Sequence, residues 1–473
     1  MNSVNGINTT QPSSRNNGFL VLVCFVPSLG GFLFGFDTAV ISGTVGMVER
    51  LFHLTKLQVG WFTSSALVGC ILGAMVAGVL GDKYGRKPIM LVSAALFFLS
   101  AFGSMVPPTF TVLIPARMIG GIGVGMASVL APMYISELAP PHLRGRLVAL
   151  YQLSIVLGIL LAYFSNWFLQ NHAAAGLTAE ETSGFYNWIF KEQVWRAMFG
   201  MEMVPAALFF ILLLLVPESP RWLLKMNEKK RAYSILCRIN GQAEAQKETM
   251  EIDKALDREE DSFKELFKPG LRTALMVGIG LSVFGQLTGI NVIIYYGPTI
   301  LKDAGIEFNN ALQYQVTIGV INLIFTIIAL SVIDRIGRRP LLIGGMSAVV
   351  VMLTIAGILF SMENPSGMLV VIVLAADVAC LALSICAVIW VLTPEIFPNR
   401  VRGRAMSIAT LSNWGTNTLS AYLFPWYVST FGMHSGFFTF AAICFVAVLF
   451  FYRFVPETKG KSLEEIERIW LKV

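Results

Sequence analysis

Long apolar runs separated by short polar loops follow one another along the whole chain. They lie at about 18–43, 58–80, 88–107, 109–135, 147–170, 194–216, 271–300, 313–333, 340–361, 368–394, 404–428 and 433–455. Crossing a hydrocarbon core of ~30 Å takes ~20 residues of helix, and each run is of that order. Strands of a membrane barrel would be shorter and would alternate apolar with polar residues. The pattern therefore predicts an all-α membrane protein with twelve transmembrane helices.

Composition agrees with that reading. Hydrophobic residues make up 55% of the 473, and only 14% are charged, against roughly a quarter in soluble domains. The first seventeen residues are polar, and the apolar run behind them is too long for a signal h-region. Residues 1–17 are thus expected to be a disordered cytoplasmic tail, with the first helix retained. Five of the six cysteines fall in apolar runs and Cys237 in a charged central segment, with no disulfide framework and no metal spacing. Neither a metal nor a cofactor is expected. None of the four histidines lies deep in a run, which argues against a histidine proton relay.

The net charge of +6 is unevenly placed. Lys and Arg concentrate in alternate loops, at 81–88, 140–146, 221–270, 334–340 and 398–404. By the positive-inside rule these loops are cytoplasmic, and an even number of crossings puts both termini on that side of the cell (inner) membrane. The basic excess is then a signal for topology, and no nucleic-acid partner is called for.

The loops also repeat. Asp82, Gly85 and Arg86 after the second run are echoed by Asp334, Gly337 and Arg338 after the eighth. Glu137 followed by Arg144-Gly145-Arg146 is echoed by Glu395 and Arg402-Gly403-Arg404, and Pro217-Glu218 by Pro456-Glu457. Three ordered pairs predict a duplicated six-helix unit, with halves at 18–220 and 271–456 and a short cytoplasmic tail at 457–473. Between the halves, 221–270 is rich in charge, with apolar residues at helical spacing. That pattern predicts amphipathic helices at the cytoplasmic surface, a plain linker being the alternative. Asp82, Arg86, Glu137, Arg144, Asp334, Arg338, Glu395 and Arg402 form a candidate cytoplasmic gate, whose ion pairs would close that side in one state and break in another. They could equally be topogenic charges.

Taken together, the GRRP-type loops, the Glu…Arg-Gly-Arg pairs, PESPRW (217–222) and PETKG (456–460) resemble the sugar porter family of the major facilitator superfamily. The resemblance runs from about residue 28 to 468. GGFLFGFDTAVISG (30–43) and RMIGGIGVGMASVLAPMYISELAP (117–140) are most similar to its bacterial xylose–proton symporter branch. It implies a sugar site between the halves and alternating access by rocking of one half against the other.

Charges deep in membrane helices are functional candidates because burying them is costly. Asp37 and Arg117 lie at comparable depth in the first and fourth runs. A carboxylate–guanidinium pair that makes and breaks would bind and release a proton, a static ion pair being the alternative. The resemblance implies that Asp37 is the protonation site and Arg117 its partner. Sugar hydroxyls suit amide side chains, which donate and accept, and sugar C–H faces suit flat apolar rings. The resemblance places Gln152, Gln286, Asn291, Asn322, Asn413 and Trp414 at sugar-binding positions, Trp390 as a stacking ring, and Tyr295 and Tyr296 at the outer gate. Phe34 is a further candidate for the cavity lining. A single buried amide is more often a helix–helix hydrogen bond.

Three positions depart from the family pattern. Gly285 stands where a glutamine is usual, which is expected to remove a hydroxyl partner and open space. Cys386-Ala387 replaces a Gly-Pro pair, which is expected to leave the tenth helix less broken. Asp377, in the middle of run ten, has no family counterpart. It could be a second protonation site, a ligand contact, or a residue facing lipid or water.

The sequence thus predicts proton-coupled symport of a monosaccharide or related polyol across the cytoplasmic membrane, by a chain functional as a monomer in the lipid bilayer. A uniporter of the same fold, with Asp37 purely structural, remains an alternative. So does an exporter, which would call for more acidic residues and fewer amides. A sugar sensor would need a large tail, and a membrane enzyme a nucleophile–base or metal constellation.

Overall fold

The computed structural model describes residues 17–140, 143–174, 184–256, 271–397, 401–461, 465, 466 and 470. Helix is the only regular structure among them, with no strand, as a bilayer-crossing chain without a barrel must satisfy its backbone polar groups within each segment. Residues 1–16 of the predicted tail 1–17 and the stretch 257–270 lie outside the described residues, and Asn17 already belongs to the first helix.

Five long helices come first: α1 (Asn17–Phe52), α2 (Lys56–Tyr84), α3 (Arg86–Met105), α4 (Phe110–Leu138) and α5 (Arg144–Ala174). A short α6 (Gly184–Asn187) and a π-helical turn (Trp188–Glu192) lead into α7 (Val194–Gly200) and α8 (Met203–Leu215), which together make the sixth crossing. The charged segment forms α9 (Pro220–Lys225), α10 (Lys229–Asn240) and α11 (Gln242–Leu256). The seventh crossing is split into α12 (Leu271–Gln286) and α13 (Ile290–Asp303), and is followed by α14 (Phe308–Ile336) and α15 (Arg338–Phe360). The tenth is split into α16 (Gly367–Leu383) and α17 (Ile385–Ile396), before α18 (Arg402–Phe431) and α19 (Met433–Phe454).

Eleven of these crossings are both long and apolar enough to span a membrane among the described residues. The remaining predicted run, 404–428, lies in α18. At 30 residues this helix is ~45 Å long, and its polar content, including buried Asn413 and Asn417, makes it less apolar than the rest.

Breaks in the crossings have local causes. Gly289, left-handed at φ 86°, separates α12 from α13, a backbone conformation that glycine adopts without strain. The tenth crossing is broken at Ser384 (φ −109°, ψ −103°), although it lacks the Gly-Pro pair. This corrects the expectation of a less broken helix. Ser384 Oγ donates to the Cys380 carbonyl at 2.7 Å, a back-bond that bends helices. Gly345 of α15 leaves room for the Ser384 side chain, since a Cβ there would stand 2.3 Å from Ser384 Cβ.

Helices α1–α5, α7 and α8 pack chiefly on one another, and α12–α19 do likewise. The two groups meet along α2–α18, α5–α14 and α1–α13. Close contacts on these seams lie towards the end away from the basic loops. Gly60 faces the Tyr422 carbonyl, Gly319 faces Tyr163 and Leu160, and Tyr163 Oη donates to the Ile294 carbonyl at 3.4 Å.

Helices α9–α11 bury two small clusters of their own, one around Leu223, Leu224 and Ala232 and one around Leu236, Cys237 and Ala245. Ile239 reaches the main core. The Arg238 guanidinium lies 3.8 Å over the Phe19 ring, tying α10 to the start of α1.

Candidate functional site

Where the two helix groups face each other away from those seams, they enclose a cavity with about 900 Å³ of empty space, counted out to its mouth. The nine residues singled out for ligand contact, Phe34, Gln152, Gln286, Asn291, Tyr295, Asn322, Trp390, Asn413 and Trp414, all line it. Among the described residues no charged side chain does so. Thr38, Thr326, Cys386 and Asn417 line it as well and were not anticipated. Asn417 lies four residues after Asn413, on the same face of α18, and that spacing was the available signal.

Helix breaks bring the amides together. Gln286 ends α12, and its Nε2 donates to Asn413 Oδ1 of α18 at 2.6 Å. Asn291, at the start of α13, donates from Nδ2 to Gln286 Oε1. Tyr295 and Asn417 exchange hydrogen bonds at 3.0 and 3.3 Å. Tyr296 Oη donates to the Ala421 carbonyl at 2.8 Å, and its ring stacks on Phe424, so both tyrosines fasten α13 to α18. Phe34 and Trp414 meet across the two groups with ring centroids 5.3 Å apart. Trp390 keeps 46% of its surface exposed, leaving its ring free at the cavity wall. Such a lining, with donors and acceptors on amides beside flat rings, suits an uncharged polyhydroxy ligand.

Gly285 also lines the cavity, but it opens little space. A Cβ there would stand 3.2 Å from Ile389 Cδ1 and 3.6 Å from Ile385 Cγ1. The missing side chain lets α12 approach α17, whose isoleucines take up the room.

Beside the cavity, one residue before Thr38, Asp37 Oδ1 accepts from Arg117 Nη1 at 2.5 Å. Both side chains are buried, at 3% and 2% exposure, and the Arg117 guanidinium also lies 5.1 Å over the Phe199 ring. Glu202, at the joint between α7 and α8, is 1% exposed and interacts electrostatically with both members of the pair. The sequence reading passed over it, though a lone glutamate in an apolar run was the signal.

The end carrying the basic loops holds two copies of one network. Arg86 grips Glu137 with Nε and Nη2 at 3.1 and 2.9 Å and Asp82 with Nη1 at 3.0 Å, a bidentate geometry that favours guanidinium. Arg338 pairs with Glu395 at 3.0 Å and Asp334 at 2.9 Å. Ser219 Oγ donates to Glu137 and Thr458 Oγ1 to Glu395. Glu218 accepts from the backbone amides of Arg86 and Lys87, and Glu457 from those of Arg338 and Arg339. These carboxylates satisfy the free N–H groups that begin α3 and α15. Gly85 (φ 100°) and Gly337 (φ 107°) form the one-residue turns, and a Cβ at either would strike the capping glutamate.

Burial pushes the Glu218 carboxyl above the usual range despite its amide donors. At Glu457 burial also pushes upward, but the amides of Lys459, Arg339 and Arg338 outweigh it and hold the carboxyl below that range. One gate candidate departs from expectation. Arg402 donates to the Phe397 carbonyl at 3.2–3.3 Å and, among the described residues, to no carboxylate. The side chain of Arg144 lies outside the description. None of the bonds seen for Asp82, Arg86, Glu137, Asp334, Arg338 and Glu395 joins the two helix groups, and Asp82 also pairs with Lys225 of α9 at 3.3 Å.

Asp377 in α16 is 1% exposed, with neither carboxylate oxygen hydrogen-bonded. It faces neither lipid nor water.

A family model described as "Sugar (and other) transporter" matches residues 23–470. The chain belongs to that family. It is 41% identical to the arabinose-proton symporter of Bacillus subtilis over 460 residues, covering 97% of each protein. It is 38% identical to the D-xylose-proton symporter of Escherichia coli over 489 aligned positions, covering 96% of each. Among solved structures it resembles the xylose transporter XylE of E. coli in a partially occluded inward open conformation, with a TM-score of 0.82 at 35% identity, covering 94% of this chain and 100% of that one. The inward open form of XylE gives a TM-score of 0.81 at 36% identity, covering 95% and 100%. This family member is therefore an integral membrane protein with the all-α major facilitator fold, and its family is one of transporters.

Proposed function

We propose that the protein is a proton-coupled symporter that takes up a neutral monosaccharide or related polyol by alternating access. The observation that carries this reading is the buried Asp37–Arg117 pair beside an uncharged, amide-lined cavity. Relatives named as arabinose– and xylose–proton symporters support it, and a relative named as a myo-inositol transporter keeps cyclitols within the substrate class. The halves are taken as 18–220 and 271–456, working as a monomer in the cell membrane. The basic loops and both termini are assigned to the cytoplasm, so the closed seams face outward and the cavity faces inward.

In this inward-facing state Asp37 is paired with Arg117, the arrangement expected after a proton has left. When the cavity faces outward, a proton taken up by Asp37 cancels its charge and frees Arg117. The amides and Trp390 bind the sugar meanwhile. Return to the inward state lets the sugar leave, and as Arg117 pairs with Asp37 again the proton passes to water on the cytoplasmic side. Six residues, Asp82, Arg86, Glu137, Asp334, Arg338 and Glu395, brace the cytoplasmic ends of the two halves.

Uptake into proteoliposomes with and without a pH gradient tests the reading. Asp37→Asn is expected to lower accumulation against a gradient while leaving sugar exchange intact. Unchanged accumulation in that variant overturns the coupling role of Asp37, whereas a wild type that accumulates no sugar under a pH gradient is a uniporter.

A further inference from the structure

One buried charge takes no part in the Asp37 pair, the cavity or the loop networks. Asp377 lies in the middle of α16, and neither of its carboxylate oxygens has a partner. By contrast, Asp37 is paired with Arg117, Glu137 with Arg86 and Glu395 with Arg338, and Glu202, although its Oε1 has no hydrogen-bond partner, interacts electrostatically with Arg117.

Among the described residues, the helices packed most closely on α16 bring Asp377 no counter-charge. They are α13, α14, α15 and α17, and their charged residues sit at their ends: Lys302 and Asp303, Asp334 and Arg335, Arg338 and Arg339, and Glu395. Of their tyrosines, Tyr295 and Tyr296 are bonded to α18, and Tyr314 lies in the second turn of α14. The titratable groups that interact with Asp377 are thiols: Cys380 one turn further along α16, Cys386 on α17 and Cys444 on α19. An ionised carboxylate in such surroundings has no donor and no cation, and takes up a proton instead.

Its place along the chain matters too. Glu137 and Glu395 occupy equivalent positions 258 residues apart, and the same shift carries Arg117 to position 375. Asp377 thus lies in the second half at about the depth that Arg117 has in the first. It also lies seven residues, about two turns, before the break at Ser384. Beyond that break Cys386, Ile389 and Trp390 line the cavity.

We propose that Asp377 is a second proton-carrying site, so that two protons accompany each sugar molecule. This rests on the symport reading above. Asp37 is paired with Arg117 in this state while Asp377 keeps its proton. Flexing at Ser384 separates α16 from α17 and admits water to the carboxyl. The proton is taken from water on the outer side and returned to water on the cytoplasmic side, with no other reactant.

The test is the proton-to-sugar ratio, measured from reversal potentials in proteoliposomes with arabinose, xylose, glucose and myo-inositol as probes. The wild type is expected to give a ratio of two and Asp377→Asn a ratio of one. At the same proton-motive force the variant's limiting accumulation would fall to the square root of the wild-type value. A wild-type ratio of one overturns the proposal, as does an unchanged ratio in the variant or a requirement for sodium in place of protons. The wild-type ratio needs no variant, so a misfolded Asp377→Asn leaves the test intact. Sugar flux without any proton flux points instead to failure of the symport reading.

Discussion

Gln286 and Asn413 are bonded side chain to side chain at 2.6 Å, joining the end of α12 to the middle of α18 at the cavity wall. With Asn291 on the other side of Gln286, they form a chain of amides from three helices. Each amide in it is already partly satisfied, so an arriving hydroxyl exchanges one hydrogen bond for another and finds the lining oriented.

Gln286→Ala is therefore expected to weaken sugar binding by about tenfold or more, the scale of one or two lost hydrogen bonds of ~1 kcal/mol each. Trp390→Ala is expected to have a comparable effect through the lost stacking face. Calorimetric titration and ligand-induced thermal stabilisation measure both. Normal stabilisation in either variant would remove that residue from the site.

Breaking the buried pair from the cationic side leaves Asp37 alone. Arg117→Ala is expected to cost about 3–5 kcal/mol, whereas the double change with Asp37→Asn is expected to recover much of that loss. Melting temperatures of the single and double variants in detergent measure the difference. Equal melting temperatures would mean that the pair is not coupled energetically.

The two capping glutamates are predicted to respond to pH in opposite ways. Glu218 has its carboxyl raised by burial, so the native state binds protons there more readily than the unfolded one. Its contribution is fully present below the unfolded value of 4.5 and declines as pH rises through its folded range. Glu457 is lowered by backbone amides, so its contribution is present above 4.5 and is lost as pH falls through its folded value. At pH 7, Glu457→Gln is expected to lower the melting temperature more than Glu218→Gln. Melts of both variants from pH 4 to 7 would show whether the order holds.

Cys386 lines the cavity, and none of the six cysteines is in a disulfide. In a variant retaining only Cys386, a maleimide is expected to label this thiol from the cytoplasmic side, and bound sugar to slow the labelling severalfold. Labelling rates in inverted vesicles with and without sugar provide the measurement. Rates indifferent to every bound sugar would place the ligand elsewhere.

The crossings were legible because a helix in hydrocarbon has to be apolar over its whole length, and the loop networks because their motifs occur twice. The amides around Gln286 were legible through family resemblance, residue by residue. What escaped depends on neighbours that no local pattern specifies. The break at Ser384 needs room beside Gly345, and the narrow space at Gly285 is set by isoleucines a hundred residues away. Glu202 gains meaning only from its nearness to Arg117. Arg402 bonds a carbonyl and, among the described residues, no carboxylate.

The seams opposite the basic loops carry a kinetic consequence. Gly60 lies against the Tyr422 backbone and Gly319 against Tyr163, contacts in which shape outweighs charge. Opening that side breaks few ion pairs, so the barrier is one of separating closely fitted surfaces. Turnover should then depend strongly on temperature and on side-chain volume at these two glycines, and only weakly on ionic strength.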